Sequence, residues 1–393
     1  MTLPGPRQRE ILRMVYRHSQ VSRSDLHEQT GIRLNTIGAE TAALLEQGVL
    51  RECDVQAHGR GRPRVPLEID PHARHVIGLA ISRGSVEIGR INLNGKLIGE
   101  PIQQTTTGRA DALQAAAALL KDQLNDDTLA VGLTAPGFID LTTHQMLFSP
   151  TVPSGKSVSL KPIYDAAGAV PIALENDAVA LAARWALAHK ADAETGGDVL
   201  IIRMGDGRLG STLLVNGRPN RGSVTGANEL GHTRLPVEAP VCFCGQTGCL
   251  ERICSTEYLT MCDGGDIPLA QRAASYDGTD AAVNKMLDLL TIGYSNAVNF
   301  TRVSRMVIAS ELTTCQAFTQ GLIERVRSMT LSQLDKRLRI DLWDRTEAQP
   351  ARVAASLILA HLYTSRWASL LAVAGEVRDS GAAYQPNNLQ VTN

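Results

Sequence analysis

The spacing of apolar positions changes along the chain, and each change marks an element. From Arg7 to Ser19, Ile11, Leu12 and Val15 fall on one helical face. In VSRSDLHEQTGI, Ser22 and Asp25 have the spacing of a capping box, and Leu26 faces inward. Thr30-Gly31 then stops the short helix, because glycine supplies the open backbone of a tight turn. A third helix, from about Leu34 to Gln47, carries Ile37, Leu44 and Leu45 and ends at Gly48. Helix, glycine turn, helix is the helix-turn-helix pattern. Its second helix would enter a major groove led by Arg33, Asn35 and Thr36. Val49-Leu50-Arg51 reads as a strand, and HGRGRPRVPLEI as a basic loop with a second strand, which together make a wing. Arg60, Arg62 and Arg64 alternate there with Gly61 and Pro63, a strip narrow enough for a minor groove. A generic three-helix adaptor and a solvated linker are the plainer readings of the same residues.

From His75 the pattern is α/β. HVIGLAIS, VEIGRINL and KLIGEPI are short strands, with Asn94-Gly95 as a hairpin turn. A helix follows over about Asp111–Asn125. LAVGLTAPGFID and VPIALEND are strands, and AVALAARWALAHK is helical. Alternation of this kind places ligand groups at strand ends. DVLIIRMGDGRLGSTLLV reads as two strands joined by a loop with Gly205, Gly207 and Gly210. That loop is equally a phosphate cradle or a tight hairpin.

Length and charge add limits. The chain has 393 residues, enough for two or three domains. Lys plus Arg is 39 against 40 Asp plus Glu, so a uniformly basic nucleic-acid coat is excluded. Residues 1–64 nevertheless hold ten Arg, no Lys and seven acids, which biases the helix-turn-helix end toward phosphate contacts. There is no signal-peptide core and no apolar run of membrane-spanning length, so a cytoplasmic location without membrane insertion is expected.

The most specific chemistry is in GHTRLPVEAPVCFCGQTGCLE. His232, Cys242, Cys244 and Cys249 form a His-x9-Cys-x-Cys-x4-Cys set. Three thiolates and an imidazole close a tetrahedral Zn²⁺ shell, the mark of a structural site. Gly245 and Gly248 let the backbone fold around the ion. Cys53, Cys254, Cys262 and Cys315 read as packing residues.

Glu229-Leu230-Gly231-His232 followed by Cys242-Phe243-Cys244-Gly245-Gln246-Thr247-Gly248-Cys249-Leu250-Glu251 resembles the signature of the ROK family (repressors, open reading frames and kinases). The resemblance covers essentially the whole chain and is strongest to the glucose and N-acetylglucosamine repressor branch. It implies a winged helix-turn-helix followed by two actin/hexokinase-like (ribonuclease H-like) lobes around a cleft, with a structural zinc site. The expected domains are 1–70 for DNA binding, 71–190 for the first lobe, joined by a last helix over about 351–377, and 191–350 for the second lobe. Sugar hydroxyls would be held by Asn176, Asp177, Glu229, His232 and Glu251, and Ala135-Pro136-Gly137 matches the family's sugar loop. Asp177 takes the position of the kinase base.

The nucleotide end departs from the kinase pattern. Ala80 stands where the first phosphate motif has Asp, and Glu311 follows the strand where kinases carry glycines. The second phosphate loop keeps its glycines but adds Asp206. In the reading helix, Gly38 and Ala39 replace the Ser and Arg common in such repressors, which weakens the expected phosphate contacts. The expectation is a non-enzymatic, sugar-responsive regulator, a repressor of carbohydrate uptake or metabolism genes. Its partners are a double-stranded DNA operator, a sugar or sugar-phosphate effector and a second copy, as homodimer or tetramer. The alternatives are an active ROK sugar kinase with a fused DNA-binding domain, and a regulator answering to a protein partner.

Overall fold

The computed structural model describes residues 3–53, 65–148, 157–189, 197–221, 227–343, 346, 348–367 and 371–373. The chain divides into two units, residues 1–176 with 350–393, and residues 177–349.

The first unit opens with α1 (Pro6–His18), β1 (Val21–Ser22), α2 (Arg23–Thr30), α3 (Leu34–Glu46), β2 (Leu50–Glu52) and β3 (Pro66–Ile69). The capping box is present: Ser22 Oγ accepts from Asp25 N, and Ser22 N donates to Asp25 Oδ2. Gly31 ends α2 with φ 71°, a left-handed conformation that a side chain would strain. Ile11, Leu12, Val15, Leu26, Ile37 and Leu44 are all fully buried, so the three helices share one small core. β3 pairs antiparallel with both β1 and β2. Arg33 and Asn35 are exposed and Thr36 half-buried at the start of α3. Arg60, Arg62 and Arg64 lie outside the described residues.

The rest of this unit is a six-stranded sheet in the order β17-β11-β7-β4-β5-β6. Its strands are β4 (His75–Ser82), β5 (Ser85–Asn92), β6 (Leu97–Thr105), β7 (Thr128–Ala135), β11 (Ile172–Asn176) and β17 (Leu371–Ala372). β4, β5 and β6 form antiparallel hairpins, whereas β7 runs parallel to β4 and β11. A small sheet, β8 (Phe138–Asp140), β9 (Gln145–Phe148) and β10 (Val158–Ser159), follows β7. Helices α4 (Arg109–Gln123) and α5 (Lys161–Ala167) pack together against one side of the main sheet. The last helix of the unit, Pro350–Tyr363, lies against β4 and β7 so closely that only glycine fits beneath it. A Cβ on Gly78 would sit 1.8 Å from Ala351 O, and one on Gly132 1.9 Å from Ala354 O.

That helix packs on the first sheet, and it ends at Tyr363 and not near Val377. The chain then turns and adds β17 antiparallel to Ile172–Ala173, so backbone pairing to a sheet edge replaces further helix. The helix also carries the N-terminal elements. Tyr16 stacks on Tyr363 with ring centroids 4.3 Å apart, and Arg9 Nη1 donates to His361 Nε2 at 2.8 Å. Burial and the Arg9 charge push His361 down to about 4, so its ring is neutral near pH 7.

The second unit begins with α6 (Asp177–Ala188), which packs on β12 (Val199–Gly205) and β13 (Arg208–Val215). That packing assigns α6 to this unit, and the division falls at 176/177 instead of the expected 190. The five-stranded sheet has the order β14-β13-β12-β15-β16, with β14 (Arg218–Pro219), β15 (Arg305–Ser310) and β16 (Arg339–Trp343). Short helices α7 (Leu250–Ile253), α8 (Thr256–Asp263) and α9 (Leu269–Ala274) lead to the long α10 (Ala281–Thr301), which pairs with α11 (Gln316–Met329). α12 (Ser332–Asp335) precedes β16; the helix Pro350–Tyr363 is then α13. Leu200, Ile202, Met204, Leu250, Tyr258, Met286, Leu290 and Ile308 form one core between sheet and helices. Among the described residues, no helix is long and apolar enough to cross a membrane.

Candidate functional site

The second unit gathers the signature residues by pairing two distant segments. Leu235 N donates to Gly248 O at 2.8 Å and Leu250 N to Thr233 O at 3.1 Å, which lays the segment after His232 beside the one before Glu251. Gly248, at φ 80°, passes so near Leu235 that a Cβ would lie 2.1 Å from its carbonyl oxygen. Gly231 is equally constrained, with Leu209 O only 2.2 Å from the place of a Cβ. The Cys242 turn is closed by Cys242 N to Gln246 O and Gly245 N to Cys242 O, both 2.8 Å.

These constraints converge four donor atoms. Those of His232, Cys242, Cys244 and Cys249 all lie within 4.8 Å of one another. Cys242 Sγ is 3.6 Å from His232 Nδ1, and Cys244 Sγ is 3.7 Å from Cys249 Sγ. Tetrahedral zinc with Zn–S bonds of about 2.3 Å requires sulfur separations of about 3.7 Å, which the Cys244–Cys249 pair has, so the set could hold such an ion. Burial pushes the Cys242 thiol up to about 12 and raises Cys249. Thiolates here therefore need a cation beside them.

His232 faces two ways. With Nδ1 toward the sulfurs, Nε2 points to Glu229 Oε2 at 3.7 Å and Glu251 Oε2 at 3.8 Å. Burial lowers the affinity of this ring for a second proton. Glu251 is buried, and Glu229 is pushed up to about 7 by burial and by the charge of Asp177. Asp177, the first residue of α6, accepts from Ala178 N at 2.9 Å and from Arg203 Nη1. Asp177, Glu229, His232 and Glu251 thus belong to one group in the second unit. Asn176 ends β11 in the first unit, where it is buried and its Nδ2 donates to Gly137 O at 2.9 Å. The expected sugar loop and the Asn are therefore bonded to each other.

Two residues in this region escaped the sequence reading. Arg203, whose side chain is 24% exposed, meets Asp177. A lone cation within VLIIRMG was the available signal. Thr256 holds Asp206, donating from its backbone N at 2.7 Å and from its hydroxyl at 2.5 Å. Asp206 therefore ties the glycine hairpin to α8. Glu311 behaves differently: its Oε1 would lie 2.8 Å from a Cβ on Gly205, directly over the hairpin, and 3.4 Å from Arg208 Nη2.

The sequence model of the ROK family matches residues 76–361. The chain is 26% identical over 262 residues to the DNA-binding transcriptional repressor Mlc of Escherichia coli K12, covering 63% of this chain and 62% of Mlc. The match thus spans less than two thirds of that relative. It is 20% identical over 378 residues to the xylose repressor of Bacillus subtilis, covering 90% of this chain and 95% of the repressor. Among solved structures, a ROK family transcriptional regulator described as a homolog of E. coli Mlc superposes with a TM-score of 0.74. The identity is 20%, over 91% of this chain and 96% of that one. A ROK glucokinase from Streptomyces griseus, crystallised with glucose and AMPPNP, superposes with a TM-score of 0.58 at 20% identity, over 72% of this chain and 98% of the kinase. These likenesses show an actin/hexokinase-like fold. The matched model, spanning well over half of the residues and including the His/Cys cluster that carries His232, places this chain in the ROK family.

Proposed function

We propose that this chain is a cytoplasmic, sugar-responsive DNA-binding regulator, a repressor of carbohydrate uptake or metabolism genes. It binds a sugar or sugar phosphate in a kinase-like site and does not phosphorylate it. The observation that carries this reading is the two-faced His232, with one nitrogen among three cysteine sulfurs and the other toward Glu229 and Glu251. A structural Zn²⁺ held by His232, Cys242, Cys244 and Cys249 would fix the ring and so fix its hydrogen-bonding edge. Asp177, Glu229 and Glu251 would accept from sugar hydroxyls, and Asn176 would both donate and accept. Asp177 keeps the position of a base without serving as one. Glu311 beside Gly205, and Ala80 in β4, argue against a nucleotide.

The DNA end rests on α2, the Gly31 turn, α3 and the antiparallel β2–β3 pair, which would together serve as a winged helix-turn-helix. Arg33, Asn35 and Thr36 would read the major groove, and Arg60, Arg62 and Arg64 the minor groove. The reading is supported by the repressor names of Mlc and the xylose repressor. Paired half-sites would require a homodimer or tetramer.

Gel-shift titration on an operator selected from a random DNA pool tests this. The cognate sugar should change operator affinity by roughly 5–150-fold, the usual range of coupling between two sites. Asp177→Ala should abolish that response and leave sugar-free DNA binding intact. Asn35→Ala should relax base preference, whereas a wing arginine replaced by Ala should flatten the salt dependence. Sugar-dependent ATP consumption would instead establish the kinase reading.

A further inference from the structure

Arg203 lies on β12, on the opposite face of the strand from Leu200, Ile202 and Met204, which enter the core. Its side chain reaches the first residue of α6 and pairs with Asp177. The pair is not sealed: side-chain exposure is 24% for Arg203 and 28% for Asp177. Asp177 Oδ1 already accepts from Ala178 N, and Oδ2 from Arg203 Nη1. Among the described residues, no other partner engages the remaining guanidinium N–H groups. Each carboxylate oxygen retains acceptor capacity, so the pair offers an acceptor and a donor side by side. A hydroxyl is a small group that uses both at once, donating a hydrogen bond to Asp177 and accepting one from Arg203.

The charges nearby point the same way. Asp177, Glu229 and Glu251 bring three carboxyl groups to this region, and Arg203 is already paired with one of them. A phosphate monoester would add about −1.5 to −2 charges beside them. Phosphate sites carry cations or amide nests in excess of acids, and among these side chains the acids outnumber the one guanidinium, which is itself paired.

Building on the reading of this region as a sugar site, we propose that Arg203 is a specificity-determining residue. With Asp177 it brackets one hydroxyl of a neutral monosaccharide, and the site discriminates against sugar phosphates. Arg203 also fixes the Asp177 carboxylate, so that it serves as a hydrogen-bond acceptor.

Calorimetry on the full, zinc-loaded chain tests this with D-glucose, N-acetyl-D-glucosamine, their 6-phosphates and D-xylose. At least one neutral sugar should bind, and either hexose should bind at least tenfold tighter than its 6-phosphate. Arg203→Met should weaken the neutral sugar at least tenfold, with zinc content and melting temperature close to wild type. Arg203→Lys should recover part of the affinity, since it restores a donor without the planar fork. A double-mutant cycle with Asp177→Asn should show strong coupling, which a merely structural arginine would not. If a 6-phosphate binds as tightly as its parent, or Arg203→Met binds the neutral sugar like wild type, the assignment is wrong while the sugar-site reading stands. If none of the five binds, the sugar-site reading fails and the assignment fails with it.

Discussion

The second unit contains two regions, the proposed sugar end and the glycine hairpin of the proposed phosphate end, and they differ in how their glycines are used. At the sugar end, Gly231 and Gly248 face backbone carbonyls at 2.2 and 2.1 Å from a virtual Cβ, so no side chain fits without moving the main chain. At the phosphate end, Gly205 faces only the tip of Glu311 at 2.8 Å, the far end of a flexible side chain and not backbone. The sugar end is built around fixed backbone and a metal-type donor cluster. The phosphate end keeps its hairpin shape, yet a carboxylate occupies the space above it and Asp206 is bonded to Thr256. On the proposed reading, backbone is fixed where sugar-binding side chains would depend on it, and a side chain lies where a nucleotide would need room.

The strongest test of the contrast is the metal. Cys244→Ser should reduce zinc from about one ion per chain to none and abolish sugar binding together with it. Elemental analysis and calorimetry read the two effects. Wild-type protein without zinc would remove the basis of the sugar end. Next in size is a paired substitution: Gly231→Ala should destabilise the second unit by several kcal/mol, while Gly205→Ala should cost less than about 1 kcal/mol. Equal costs in urea unfolding would erase the distinction between the two ends.

His361 titrates at about 4 in the fold, below its ordinary 6.5, so the unfolded chain binds its proton first. The stability of its neutral form is complete above pH 6.5 and is lost as pH falls toward 4, by about 3 kcal/mol in total. His361→Gln should flatten that part of the stability profile. An unchanged profile would mean that the ring beside Arg9 is not the group responsible. The smallest effect is expected from Glu311→Gly. It should leave ATP turnover at background, because Ala80 still lacks the first phosphate motif's carboxylate. Turnover in this single variant would show that Glu311 alone blocks the phosphate end.

Much of this was legible in the chain. Period-3.6 and period-2 patterns locate the three N-terminal helices and the β4–β6 hairpins, because those elements are specified by local residues such as Ser22, Asp25, Gly31 and Asn94-Gly95. The metal cluster was legible because three cysteines and a histidine, so close in sequence and set among glycines and polar residues, are poor material for an apolar core, and the structure brings their donor atoms within 4.8 Å. The end of α13 was not, since apolar periodicity continues past Tyr363 while pairing with Ile172–Ala173 takes over the backbone.

The sequence by itself determined which donors exist, their order, and the family to which their spacing belongs. Only the tertiary structure decided how they are coupled. It directs His232 Nε2 toward Glu229 and Glu251, sets Arg203 on Asp177, ties Asp206 to Thr256, and lays α13 on Gly78 and Gly132. These are pairings between residues far apart in the chain, formed when sheets and helices close a core. No local pattern encodes which side chain a strand will present to a neighbour that has not yet been folded against it.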